Sequence, residues 1–156
     1  MKTNFNNGQS LFEVVVAVAI SALIMVALVS LVSNSIQNAS FSRNKGLAGT
    51  YAQEATEWLR GERDRDIASF STNVLIPTWC LTGLSWTPSQ AGDCDPDNDK
   101  IPNTPFIRQA TFNITSVSNN GVLKDVIQAD VVVSWQDSGG SHQVTSATNF
   151  ADWRQR

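Results

Sequence analysis

Residues 8–32 read GQSLFEVVVAVAISALIMVALVSLV, and this stretch decides the architecture of the chain. From residue 14 to residue 32 the only polar side chains are Ser21 and Ser30, so about 19 residues are available to cross roughly 30 Å of hydrocarbon as a helix. Glu13 stands just before this run. A carboxylate costs free energy even near the edge of a membrane segment, so Glu13 is either held at the lipid headgroups by a tilted helix or has a partner inside the membrane or an assembly.

The residues before the apolar run, MKTNFNNG, form a short polar segment with one lysine, Lys2. An ordinary secretory signal is cleaved after its apolar region, next to small residues. Here the small residue, Gly8, precedes the apolar region. Cleavage after Gly8 would therefore leave the apolar helix on the mature protein and create a new α-amino group at Gln9. That amine and the carboxylate of Glu13 could neutralise each other, or each could pair with a neighbouring copy of the helix.

Residues 8–13, GQSLFE, followed by VVVA, resemble the class III signal of type IV pilins and pseudopilins. The resemblance implies a prepilin that a prepilin peptidase cuts after Gly8 and methylates at the new N-terminus, Gln9. It also implies that Glu13 pairs with the N-terminus of an adjacent subunit as a filament grows. This chain departs from the family at Gln9, because the first mature residue is most often phenylalanine. The motif covers about the first 25 residues, so the rest of the chain is interpreted from its own residues.

The length of 156 residues suits one domain in addition to the membrane helix. A net charge of −3 at pH 7 gives no overall basic face, so nucleic acid is not implied as a partner. The two cysteines, Cys80 and Cys94, both lie in the part expected to face outward. An even number of cysteines in an exported protein favours a disulfide between them, with two reduced thiols as the alternative.

The helix is predicted to continue beyond the membrane segment to about residue 63. In its outer half, apolar side chains recur at spacings of three and four and so form one stripe: Leu47, Tyr51, Ala55, Trp58 and Leu59. The opposite face is predicted to be solvated and carries Gln53, Glu54, Glu57, Arg60 and Arg63, with an ion pair between Glu57 and Arg60. Gly46 and Gly49 mark either a bend or tolerated helical glycines.

The last third of the chain alternates at period two, which predicts β-strands. One strand has Phe106, Ala110, Phe112 and Ile114 on one face, and the next has Ile127, Ala129, Val131, Val133 and Trp135. A third strand, SHQVTSATNF, follows the turn DSGG. We therefore expect an α+β fold in which a long N-terminal helix packs on a small antiparallel sheet, an arrangement that also resembles the pilin fold. The expected segments are a leader (1–8), a transmembrane and assembly helix (9–33), an outer amphipathic helix (34–65) and a globular head (66–156), with a loop region (66–105) before the sheet (106–156).

The loop region contains four alternating aspartates: Asp93, Asp95, Asp97 and Asp99. Oxygen ligands at every second position resemble the opening of a calcium loop, but the glycine at the sixth position and the glutamate at the twelfth are missing. We prefer a solvated acidic loop and expect no cofactor, with calcium as the alternative. His142 is the single histidine, expected to be exposed, and no phosphate-binding glycine loop or CxxC motif occurs, so we expect no enzyme and no catalytic residues.

Three functional hypotheses follow. The preferred one is a structural subunit, major or minor, of a type IV pilus-like filament. The second is a pseudopilin of a type II-like secretion apparatus, and the third, from another class, is a monomeric signal-anchored binding protein. The first two share four partners: the prepilin peptidase, other pilin subunits in a homo- or hetero-filament, the inner-membrane assembly machinery and, before assembly, membrane lipid. They also share a location, as a single-pass cytoplasmic (inner) membrane precursor with its head outside the cytoplasm and then as a cell-surface pilus or a periplasmic pseudopilus.

We predict that the mature chain begins at Gln9. Gly8→Phe should leave full-length precursor in the membrane, because a bulky side chain would occupy space at the scissile bond where glycine has none. Mass spectrometry of the N-terminal peptide measures the outcome for the wild type and the variant. Cleavage of the variant at the same bond, or a wild-type chain that starts at Met1, would contradict the prediction.

Overall fold

The computed structural model describes residues 7–119 and 122–151, with side chains described in 11–116 and 126–151. Its elements are α1 (Asn7–Arg65), α2 (Ile67–Asn73), β1 (Thr78–Cys80), β2 (Ile107–Asn119), β3 (Val122–Asp137) and β4 (Gly140–Ala151). The strands form one four-stranded sheet in the order β1-β2-β3-β4, and every neighbouring pair is antiparallel. The predicted α+β fold of a long N-terminal helix packed on an antiparallel sheet is confirmed.

The chain divides into two compact units, Met1–Ser42 and Arg43–Arg156, and α1 contributes residues to both. In the first unit, every residue of the range 11–40 is exposed. The second unit holds the outer part of α1, the helix α2 and the whole sheet, and it contains the buried apolar core. From here on, the head means this second unit, residues 43–156, which includes the outer part of α1 in addition to the predicted globular head (66–156).

The face of α1 that packs on the sheet is made of small residues. Ala48, Ala52 and Ala55 are fully buried together with Leu59, whereas Leu47 is exposed. The predicted stripe is thus correct at Ala55 and Leu59 and wrong at Leu47. Alanines face the sheet because they let the helix backbone come close to it, which leaves the large rings at the flanks of the contact.

Two half-buried rings on α1 flank this alanine face. Tyr51 lies against Phe106, with ring centroids 5.5 Å apart, and Trp58 lies against Trp86, with centroids 4.8 Å apart. Each ring therefore buries one side against the head while keeping an edge in water. This arrangement explains why Tyr51 and Trp58, predicted to be part of the buried stripe, are only half-buried.

The inner face of the sheet follows the predicted alternation. Its buried residues are Phe106, Ala110 and Phe112 on β2, Ala129, Val131, Val133 and Trp135 on β3, and Phe150 on β4. Ile114 and Ile127, predicted on the same face, are more exposed, Ile114 to 40%. Ile114 and Ile127 face each other near the end of β4, where Ala151 pairs with Val126. The β2–β3 hairpin continues beyond that point without β4 beside it, so these side chains have fewer neighbours.

Sequence patterns missed three short elements in residues 66–105: α2, β1 and a 3₁₀ helix at Pro88–Gln90. The helix α2 begins after Asp66, whose carboxylate accepts hydrogen bonds from the backbone N–H groups of Ala68 and Ser69. The hydroxyl of Ser69 donates to the same carboxylate, and this bond is the largest cause that holds the pKa of Asp66 below its ordinary value. Aspartate is a favoured N-cap residue, so Asp66 was a readable signal, but a helix of seven residues gives too short a pattern for periodicity to detect.

We predict that Ala55→Leu destabilises the head by about 1–3 kcal/mol, because Ala55 is fully buried and the added methyl groups would force the helix and the sheet apart. Gln53→Leu is the matched control, since Gln53 is exposed on the same helix. Urea unfolding of the detergent-solubilised full chain, followed by tryptophan fluorescence, compares the two variants. Equal unfolding midpoints would show that the alanine face is not a close contact.

Candidate functional site

The predicted assembly segment lies at the start of α1. Gly8 and Gln9 fall in its first turn, and the side chain of Gln9 lies outside the described ranges 11–116 and 126–151. The side chain of Glu13 is exposed and forms no ion pair with any side chain in the described ranges 11–116 and 126–151. Cleavage after Gly8, methylation at Gln9 and assembly through Glu13 stay predictions.

The apolar part of α1 around and after Glu13 is exposed at every residue of the range 11–40. Leu11 and Phe12 are each 71% exposed, and Leu23 is 72% exposed. Transfer of a side chain of this size from water to an apolar environment is favourable by roughly 1.5–3 kcal/mol. The helix is long and apolar enough to cross a membrane, which indicates a single-pass anchor. The apolar segment therefore requires lipid or other helices around it.

One polar group inside this apolar segment is satisfied by the helix itself. The hydroxyl of Ser21 donates to the carbonyl oxygen of Ala17, one turn earlier, at 2.8 Å. A hydroxyl bonded in this way adds little cost in hydrocarbon, because it has no unmet donor. Glu13 differs, since no helical carbonyl can neutralise a carboxylate.

The predicted disulfide between Cys80 and Cys94 is confirmed, with the two Cα atoms 4.9 Å apart. Cys80 ends β1 and is buried, while Cys94 lies in the loop region that leads back toward β2. The backbone N–H of Cys94 donates to the side-chain oxygen of Gln109 on β2 at 3.2 Å. The disulfide therefore attaches the loop region to the edge of the sheet formed by β1 and β2.

A buried arginine next to the disulfide joins three parts of the head. Arg108 on β2 is only 3% exposed. Its Nε donates to the carbonyl oxygen of Leu81 at 3.1 Å, and its Nη1 donates to the carbonyl oxygen of Tyr51 at 3.3 Å and to Oε2 of Glu54 at 2.9 Å. Burial lowers the pKa of Arg108, and the hydrogen bond that its guanidinium donates to Glu54 opposes that shift. The guanidinium thus ties α1 to β2 and to the residue that follows Cys80.

Three residues assigned to the solvated face of α1 also contact the sheet: Glu54, Arg60, whose guanidinium donates to the hydroxyl of Thr148 at 3.4 Å, and Arg63. Glu54 and Arg60 are exposed as predicted, whereas Arg63 is half-buried. Glu54 keeps half of its side chain in water while its carboxylate binds Arg108. The guanidinium of Arg63 lies over the ring of Phe150, 5.4 Å from the centroid. The ion pair predicted between Glu57 and Arg60 is present. Long side chains can reach the sheet from a face that periodicity assigns to solvent. Their apolar stems lie along the side of the helix, and only the charged end group contacts the sheet.

The aspartates of the loop region bond mostly to the loop itself. Asp95 accepts from the backbone N–H of Asp97 at 2.9 Å and from the side-chain amide of Asn98 at 2.7 Å, and the bond from Asp97 is the largest cause that lowers its pKa. Asp99 accepts from the backbone N–H of Asp95, and Asp93 accepts from the side chain of Gln109. In residues 7–119 and 122–151, no three acidic, histidine or cysteine side chains form a group that could hold a metal ion. The carboxylates of Asp95 and Asp99 thus stabilise the loop from within, while Asp93 attaches it to β2.

The histidine expected to be exposed is half-buried in the turn between β3 and β4. Nε2 of His142 lies 3.0 Å from Oδ1 of Asp137, which also accepts from the backbone N–H of Gly139 at 2.8 Å. The bond from Gly139 is the largest cause that lowers the pKa of Asp137, and His142 adds to it. Gly140 has a φ of +119°, which favours glycine at this turn. These contacts assign His142 a role in closing the turn.

Comparisons with known proteins give no relative: no protein-family model, no curated protein and no solved structure matches the chain.

We predict that Glu54→Ala destabilises the head by about 1.5–3 kcal/mol, because it removes the carboxylate that binds the buried guanidinium of Arg108. Glu57→Ala is the control, since it removes an exposed ion pair on the same helix and should cost no more than about 1 kcal/mol. Urea unfolding of the solubilised full chain gives both values. If the two variants lose equal stability, the bond from Arg108 to Glu54 is no stronger than a surface pair.

Proposed function

We propose that the protein is a structural subunit, major or minor, of a type IV pilus-like filament. In this proposal it is made as a membrane prepilin, cleaved by a prepilin peptidase after Gly8 and assembled with other pilin subunits through its N-terminal helix. The observation that supports it most is a coincidence in α1: Gly8, Gln9 and Glu13 stand at the pilin offsets directly before an apolar segment, and every residue of the range 11–40 is exposed.

The exposed helix supports the proposal because such a subunit offers its apolar surface two successive environments. Lipid surrounds it in the precursor, and neighbouring copies of the same helix surround it after assembly. Apolar side chains gain little when they exchange lipid tails for other apolar side chains. The apolar surface alone therefore gives weak preference for any one axial position of a subunit.

Glu13 supplies the axial preference that the apolar surface lacks. Its carboxylate would meet the N-terminal amine of a neighbouring subunit at Gln9, where little water screens the attraction between the charges. A shift of one subunit along the filament would leave both charges unpaired in an apolar environment, which is far costlier than in water. The pair therefore fixes the register of assembly.

The head supports the same proposal through its stability outside the cytoplasm. The disulfide between Cys80 and Cys94 is typical of proteins that fold in an oxidising compartment. Together with the bonds of Arg108, it joins the outer part of α1 and the sheet into one unit. An exposed filament subunit needs such a unit, because it must stay folded after export.

We predict that Glu13→Ala abolishes incorporation into filaments while membrane insertion and cleavage after Gly8 stay intact, because only the partner of the N-terminal amine is lost. Surface filaments are sheared from cells, and the subunit is quantified in the sheared and membrane fractions. N-terminal mass spectrometry on the membrane fraction confirms processing.

Ser21→Ala is the matched control for this experiment. It also removes a polar group from the apolar segment, but that hydroxyl bonds within its own helix, so filament levels should not change. Wild-type filament levels in Glu13→Ala would show that the carboxylate is only an edge residue at the headgroups. Absence of the wild-type chain from every sheared fraction, with an unprocessed N-terminus, would favour a monomeric anchored protein.

A further inference from the structure

A cleft opens on the outer face of the sheet, the face turned away from α1. Its floor consists of side chains that alternate along their strands with residues of the inner face. Ile107 of β2 pairs with Ser134 of β3. Gln136 of β3 pairs with Ser141 of β4. The cleft has a volume of about 310 Å³, within the range of roughly 300–1,000 Å³ that small-molecule sites occupy.

The wall of the cleft is the last part of the loop region, which supplies four residues: Pro96, Asp97, Lys100 and Pro105. Bonds within the head hold this wall in place. The carboxylate of Asp95 accepts from the backbone N–H of Asp97 at 2.9 Å. The backbone N–H of Ile101 donates to the carbonyl oxygen of Phe106 at 2.8 Å. The cleft is therefore formed before any ligand enters it.

Two opposite charges of this wall are not used inside the head. The other three alternating aspartates direct their carboxylates to groups of the loop or of β2. The carboxylate of Asp97 accepts no hydrogen bond from residues 7–119 and 122–151. The ammonium group of Lys100 forms no ion pair with the side chains described in 11–116 and 126–151. Both groups are thus available to a ligand.

The two charges and the polar floor restrict the kind of molecule that fits the cleft. Asp97 repels an anion and Lys100 repels a cation, so the best ligand has no net charge. A purely apolar ligand would take water from the two serine hydroxyls and the amide of the floor without replacing its hydrogen bonds. Sugar hydroxyls both donate and accept, so they can donate to Asp97 and accept from Lys100. The apolar side chain of Ile107 suits the C–H side of a sugar ring.

The outer face continues the same chemistry beyond the cleft. Asn113 pairs with Gln128, which pairs with Asn149, so one row across three strands consists of amides. Two exposed polar residues of β4 lie between this row and the cleft: Gln143 and Thr145. Among the described strand residues of this face, Asp130 is the single charged one, and the amide of Gln128 donates to it. A chain of sugar units would find partners here, whereas a free amino acid would use the cleft alone.

We propose that the cleft binds one unit of a neutral oligosaccharide and that the outer face binds the units next to it. This inference goes beyond the proposed filament role and does not rest on it, because all its residues belong to the head. Glu13→Ala should therefore leave sugar binding unchanged. A failure of either proposal can thus be told apart from a failure of the other.

Isothermal titration calorimetry on the solubilised full chain tests the proposal. The detergent is a polyoxyethylene, which contains no sugar. The probes are neutral hexasaccharides: cellohexaose, maltohexaose, mannohexaose and chitohexaose. Glycine is the zwitterionic probe of similar polarity. We expect at least one hexasaccharide to bind with a Kd of about 1 mM or lower and glycine not to bind.

Variants of the wall and the floor locate the binding. Asp97→Ala and Lys100→Ala should each weaken binding of that hexasaccharide at least about tenfold, because each removes a charged hydrogen-bonding group. Ser141→Trp should abolish binding, since the indole fills the cleft. Ser71→Trp on α2 and Glu57→Ala on α1 are matched controls at exposed positions outside the cleft, and they should leave the Kd unchanged.

Three results would overturn the proposal. One is no saturable binding of any of the hexasaccharides. Another is a Kd that stays at the wild-type value in Ser141→Trp and Asp97→Ala, which would place the sugar elsewhere. The third is binding of glycine without any sugar, which would show that the cleft takes a zwitterion. Retention of the Cys80–Cys94 bond and of the wild-type urea midpoint confirms folding. Since the site variants change three separate exposed positions, a folding defect in one leaves the other two to decide.

Discussion

The apolar surface of α1 is the constraint on which the rest of the chain depends. Every side chain from residue 11 to residue 40 is exposed, and most of those in the first two thirds of this range are apolar. A helix cannot hide such a surface by itself, since each turn presents side chains in all directions. The chain therefore needs an apolar surrounding for one part of a single continuous helix and water for the other. The change from apolar to polar composition after Val32 separates the two environments.

In the head, α1 packs on the sheet through residues that differ from those of the apolar segment. Alanines replace the large side chains of the membrane segment on the contact face, because packing against a sheet rewards close approach. The aromatic rings lie at the flanks, and long charged side chains reach around the helix to Arg108 and Phe150. Buried alanines, flanking rings and a hydrogen-bonded guanidinium together specify one rotation of α1 about its axis, which an all-leucine face would leave less defined.

The sequence was most informative where a pattern repeats over many residues. The long helix, the three long strands and the disulfide pairing were predictable, because they rest on long periodicities and on the presence of only two cysteines. Leu47 was misassigned because a hydrophobicity pattern gives leucine more weight than alanine. Close packing of a helix on a sheet selects alanine instead, and the neighbouring Ala48 is the buried residue. Arg108 was missed because an arginine in a β-strand normally indicates an exposed position, and its acceptors lie far away in the chain at Tyr51, Glu54 and Leu81. Only the three-dimensional structure brings those acceptors together.

Glu13 and Arg108 are two charges in positions that cost free energy, and their surroundings lead to different conclusions. Arg108 is buried, and the chain supplies its carboxylate and two carbonyl oxygens. That cost is met inside the molecule, so the arginine is explained by the stability of the head. Glu13 precedes an apolar segment and has no cationic partner among the described side chains. A charge that the monomer leaves without a partner at the edge of an apolar environment favours a partner from outside the monomer. This contrast is the physical reason to seek the role of Glu13 in assembly and the role of Arg108 in folding.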